Sequence, residues 1–136
     1  MRERKKALER LLAVKTKMRE LEEARLAAIE RQKDEAAKER RALLGFLGGA
    51  AEKDPLLLKL ACRRVASAER GAAALEARAV AQRERVVERD AQRRALERLV
   101  KEAADRIERE EEKRRLLDLG ESLAAIRQTN PPTSLR

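Results

Sequence analysis

At 136 residues the chain has room for one domain, and 43% of those residues are charged, Phe46 is the only aromatic and histidine is absent. A close-packed core of large side chains is therefore excluded, along with the commonest general base and metal ligand. The net charge of +9 comes from 34 basic residues interleaved with 25 acidic ones, so the surface mixes both signs and offers no row of aromatics for stacking bases.

Strong helix formers (Ala, Leu, Arg, Glu, Lys and Gln) dominate, and the composition belongs to the long-helix or coiled-coil class. The first helix is predicted from Arg2 to Leu44. Following its apolar residues gives a seam of Leu11, Val14, Met18, Leu21 and Ala28, then Ile29, Gln32, Ala36, Leu43 and Phe46. The four-residue step from Arg25 to Ile29 reads as a stutter, which locally unwinds a supercoil.

A break follows at residues 45–54. Gly45, Gly48 and Gly49 permit a left-handed helix cap. Asp54 is placed to cap the next helix, with Pro55 as its first residue, where the missing N–H costs nothing. Around the break, Leu43, Phe46, Leu47, Leu56 and Leu57 form an apolar cluster. It reads either as a plug closing a hairpin or as a docking tip.

The second helix is predicted over 55–127. Its a positions are Leu58, Val65, Ala72, Ala79, Val86, Arg93, Val100, Ile107 and Arg114. Its d positions are Ala61, Ala68, Leu75, Gln82, Arg89, Leu96, Ala103, Glu110 and Leu117. Thirteen of these eighteen sites are apolar, and so narrow a stripe suits a coiled-coil seam. Gly71 falls among small residues, where two helices could approach closely. Arg89, Arg93, Arg94 and Arg98 put positive charge on successive turns, as snorkelling seam residues or as a strip for a partner's acidic groups.

The architecture expected is all-α: an antiparallel two-helix coiled-coil hairpin whose C-terminal helix is longer and overhangs. A turn centred near residue 50 would set Leu11 opposite Arg89 and Arg2 opposite Arg98, leaving everything from Leu99 onward bare for ~40 Å at 1.5 Å per residue. Leu99, Val100, Ala103, Ile107, Leu116, Leu117, Leu119, Leu123 and Ile126 would then form an apolar stripe facing a partner. Residues 128–136, with Pro131 and Pro132, are expected to form a disordered tail.

Nothing points to an enzyme, a cofactor or a small-molecule substrate. The acidic run Glu110-Glu111-Glu112 has no enclosed site to tune it, and the glycines near residue 48 lack the Lys-Ser/Thr of a phosphate loop. Cys62 is the sole cysteine, which fits a reducing compartment. No stretch reaches the ~20 apolar residues of a membrane span, and residues 1–30 lack an apolar signal core, so a cytoplasmic protein is expected.

The charged repeat from Arg83 to Glu121 carries a resemblance: Arg83-Glu-Arg-Val-Val-Glu-Arg89, then Arg94-Ala-Leu-Glu-Arg-Leu99, then Glu110-Glu-Glu-Lys-Arg-Arg-Leu-Leu-Asp118. It resembles the type III export stalk proteins, the FliJ/YscO-like family of flagellar and virulence secretion systems. That family ends such a stretch in Leu-Asp-Glu, whereas Leu119-Gly120-Glu121 follows Asp118 here. The resemblance implies a non-catalytic stalk peripheral to a membrane-embedded export apparatus. Its termini would enter a hexameric export ATPase, and another part would engage the export gate protein, with secretion chaperones as a further implied partner. Leu99 to Ile126 would be the shaft, with Arg89, Arg93, Arg94 and Arg98 at the ring's exit. Leu43, Phe46, Leu47, Leu56 and Leu57 would meet the gate. The alternatives are a homo-oligomeric structural coiled coil and, less favoured, a basic helical nucleic-acid binder.

Overall fold

A computed structural model describes residues 1–49 and 54–129. It contains two helices, α1 (Arg2–Gly48) and α2 (Pro55–Thr129). Both begin where the sequence places them. Asp54 caps α2: its Oδ1 accepts from the Leu56 N–H at 3.0 Å, and its carbonyl accepts from the Leu58 N–H at 3.0 Å. Proline at the first helical position leaves no donor stranded there.

The end of α1 departs from expectation. The helix runs through Gly45 to Gly48, past the expected limit at Leu44, and closes with the Gly49 N–H donating to the Phe46 carbonyl at 3.2 Å. Among the described residues no glycine has positive φ, so the left-handed cap is not used. The turn's own residues 50–53 lie outside the described residues, as do 130–136 of the expected tail; Gln128 and Thr129 are helical.

The chain divides into two compact units, one of residues 14–93 and one of residues 1–13 with the second helix from Arg94 onward. In each, a segment of α1 packs antiparallel on a segment of α2. Within the first, Arg40 pairs with Glu69 at 3.1 Å, Lys33 with Glu76 at 2.5 Å, and Arg83 with Glu30 at 2.7 Å. Within the second, the Arg2 guanidinium bonds the Glu111 carboxylate. Arg2 therefore faces Glu111 and not Arg98. Helix pairing reaches past Ile107, and the estimate of a bare surface beginning at Leu99 is corrected accordingly.

The seam of α2 follows the heptad. From Ala61 to Ile107 every a and d residue is buried or half-buried, and nearly everything between them is exposed. Among the described residues Ala61, Ala79, Leu96 and Ala103 are its buried apolar residues, Ile29 is that of α1, and no large side chain is completely buried. Small side chains let the helix axes approach, and each contributes little area. Many modest contacts carry the stability.

For α1 the predicted seam holds only in part: Ile29 is buried and Ala36 and Leu43 are half-buried on the observed seam, and Met18 and Ala28 are half-buried beside it. Leu11, Val14, Leu21 and Phe46 are 44–54% exposed, and Gln32 is exposed. The observed seam alternates Leu8, Leu12, Lys15, Arg19, Glu22, Leu26, Ile29, Lys33, Ala36, Arg40, Leu43 and Leu47, all half-buried or buried except Arg40. These spacings of four and three run without interruption, so no stutter exists. Polar residues at seam positions explain the discrepancy: the heads of Arg19, Lys33 and Arg40 reach carboxylates on α2, and Glu22 accepts from the Gln82 amide, while aliphatic stems can pack along the seam.

Gly71 is likewise not a point of close approach. It is exposed, and a Cβ added there would meet no atom within 4 Å.

Candidate interaction surfaces

The described residues contain no group of three or more metal-ligating side chains, and no helix long and apolar enough to cross a membrane. What the fold positions are surfaces, and three of them bear on the sequence expectations.

The first is the basic run, which the structure divides. Arg89 is half-buried and donates to Gln92 Oε1 at 3.3 Å, with its Nη1 4.0 Å from Met18 Sδ. Arg93 is tied to Asp90: Nη2 lies 3.1 Å and Nε 3.3 Å from Oδ1. The same carboxylate also faces Arg19 Nε at 3.2 Å, an ion pair too oblique to be a hydrogen bond. Both arginines on seam positions are thus engaged within the molecule, as snorkelling predicts. Arg94 and Arg98 belong to the other unit and are exposed.

The second is the cluster flanking the turn. Leu43, Phe46 and Leu57 line one open groove with Ala42, Leu60 and Ala61. Leu47 and Leu56 do not join that lining, and Leu56 projects at 68% exposure. The helix break brings three of the five predicted residues together. Phe46, the largest side chain available, stays 44% exposed.

The third is the last part of α2. Of the residues expected on a bare face, Ala103 is buried, Val100 and Ile107 are half-buried, and Leu99 lines a groove with Met1, Arg4 and Leu8. Leu117 is 68% exposed. Every described residue after Glu111 is exposed, including Leu116, Leu119, Leu123 and Ile126 at 55–65%. Those four are spaced three, four and three apart, so they form a single apolar stripe on one face of the helix. The stripe is offset from the a/d positions that α1 covers upstream. The sequence placed all four on the bare stripe; what it did not separate was the change of register, visible as Arg114 and Glu121 falling on a positions.

Charge is also sorted by flank. The ion pairs Arg2–Glu111, Arg19–Asp90, Glu30–Arg83, Lys33–Glu76 and Arg40–Glu69 all lie on one side of the seam, where e positions face each other or an a residue. The 2.5 Å contact holds Lys33 above its ordinary pKa, chiefly through the hydrogen bond to Glu76, and that same bond holds the Glu76 carboxyl below its own. The opposite flank lacks such cross-helix pairs among the described contacts.

No protein-family model, no curated protein sequence and no solved structure matches the chain.

Proposed function

We propose that the chain is a non-enzymatic coiled-coil stalk of a type III protein export apparatus, coupling the hexameric export ATPase to the export gate. The observation that carries this reading is the bare stripe of Leu116, Leu119, Leu123 and Ile126 on a helix whose seam is covered as far as Ile107. In this reading residues 112–129 are the overhang and the shaft. Contiguous apolar residues on a solvated helix call for a cover, and the inside of a ring supplies one on every side. Exposed Arg98 would stand near the mouth of the ring, and the groove at Leu43, Phe46 and Leu57 would meet the gate. The working place is the cytoplasm beside the membrane-embedded apparatus, where secretion chaperones are further partners.

The test adds the purified chain, below stoichiometry, to the export ATPase of its own organism. ATP hydrolysis should rise, and a variant with Leu116, Leu119, Leu123 and Ile126 all changed to Ser should give no rise while keeping its helix content. An unchanged rate, with no ring retained by the immobilised chain, removes the proposal. The three-four-three spacing also favours a second reading, in which the stripe pairs with another copy. Sedimentation equilibrium separates the two, because a tight dimer at low micromolar concentration that the same variant abolishes supports self-pairing.

A further inference from the structure

In the unit of residues 14–93, the flank opposite the ion pairs is a second, uncovered seam. Val14, Met18 and Leu21 stand four and three residues apart along α1 and Ala28 follows one heptad after Leu21; Val14 is 54% and Leu21 52% exposed, and Met18 and Ala28 are half-buried. At Ala28, the one of these four that lines it, the flank opens across the helix pair into a groove whose α2 wall is Arg78, Ala81 and Arg85. Arg25, on the α1 wall, bonds its neighbour Glu22 at 3.1 Å. Arg78 and Arg85 are exposed and make no ion pair among the described contacts. No carboxylate side chain lines the groove.

We infer that this flank takes a third helix: an acidic amphipathic helix of another protein, laid along α1 and α2. Leu21, Val14 and Ala28 would receive its apolar edge, and Arg78 and Arg85 its carboxylates. Apolar residues at i, i+3, i+4 and i+7 are what helix-in-groove recognition uses. Charge selects the occupant. A second copy paired about a two-fold axis through this groove would bring Arg78 and Arg85 against the same arginines, and like charges opposed across an interface are unfavourable, whereas Glu or Asp beside the apolar edge matches them. The inference is independent of the stalk reading, since it uses residues 14–93 alone.

The probe is a fluorescein-labelled peptide of four heptads with Leu at a and d and Glu at e and g, whose own carboxylates discourage self-pairing. Its counterpart has Lys in place of Glu. Anisotropy with the full chain at low salt should show binding of the Glu peptide and not of the Lys peptide. The pair Arg78→Glu with Arg85→Glu should weaken binding about tenfold or more, as should Val14→Gln with Leu21→Gln. Val87→Gln, exposed on the other flank, should leave it unchanged. All these positions are exposed, and far-UV circular dichroism confirms that each variant keeps the parent's helix. The inference is overturned by any of four results: no binding of the Glu peptide, equal binding of both peptides, equal loss in Val87→Gln, or a self-association of the chain that Val14→Gln with Leu21→Gln abolishes. Displacement of the peptide by duplex DNA with the arginine variants alone affected would assign the groove to nucleic acid instead.

Discussion

Gln82 of α2 reaches across the seam to Glu22 of α1, donating to its backbone carbonyl at 2.9 Å and to its carboxylate as well. Both residues are buried, at 6% and 7% exposure, in a layer that alanines and leucines would otherwise fill. Such a layer is satisfied in one alignment of the helices only. A slip by a heptad would leave a buried amide opposite a hydrocarbon, so the pair fixes register at some expense of stability.

Removing one partner should therefore cost more than removing both. Gln82→Ala is expected to lower unfolding free energy by about 1–3 kcal/mol, read from urea denaturation followed at 222 nm. Glu22→Leu with Gln82→Leu should restore or exceed the parent's midpoint, and should broaden the distribution of species seen by sedimentation. A double variant as unstable as the single one refutes the registering role.

The two competing seams of α1 can be told apart by a pair of truncations. Ile29 is 7% exposed and Leu21 is 52% exposed. Ile29→Ala should cost about 2–4 kcal/mol, and Leu21→Ala should stay within about 0.5 kcal/mol. Equal losses would mean that α1 packs through the face drawn from its apolar residues after all.

Gly71 sits in the interior of α2 with open space where a side chain would go. Gly71→Ala should raise stability by about 0.5–1 kcal/mol through backbone entropy and helix propensity. Thermal unfolding of the two proteins decides it, and a lower midpoint would show that something does crowd that position.

The Lys33–Glu76 pair makes a signed pH prediction. The Glu76 pKa is lowered in the folded state, so its contribution is present above the ordinary value of 4.5 and is lost as pH falls through the depressed value. Lys33 is raised, so its contribution is present below 10.5 and disappears as pH climbs through the elevated value. Melting curves of the parent and Glu76→Gln should separate between these limits and converge in stronger acid. The pair is solvent-exposed, so about 1 M salt should shrink the gap too. A gap that persists in acid refutes the assignment.

The heptad of α2 was legible because alanines and leucines mark it directly, and the Asp54-Pro55 start because its capping chemistry is local. The seam of α1 was legible only at Ile29, Ala36 and Leu43. Lys15, Arg19, Glu22, Lys33 and Arg40 stand on it, and a reading that follows hydrophobicity moves to Leu11, Val14 and Leu21 on the adjoining face. Which long polar side chain lies across a seam depends on carboxylates that another helix brings from far along the chain, as Asp90 is brought to Arg19, Glu76 to Lys33 and Glu69 to Arg40. The start of the bare stripe was misplaced for a related reason. It follows from the pairing of Arg2 with Glu111, whereas the sequence offers only an assumed midpoint for the turn. The turn-flanking residues were found as a group, yet Leu56 and Leu57 part company on successive positions of one helix.

That no bulky side chain among the described residues is wholly sealed between the helices has a mechanical corollary. Two strips joined by small or part-covered side chains, with Ile29 and Leu96 the bulkiest of the buried apolar ones, spread their grip over many points. Tension or a competing strip would undo such a fastening tooth by tooth, each step shallow and reversible.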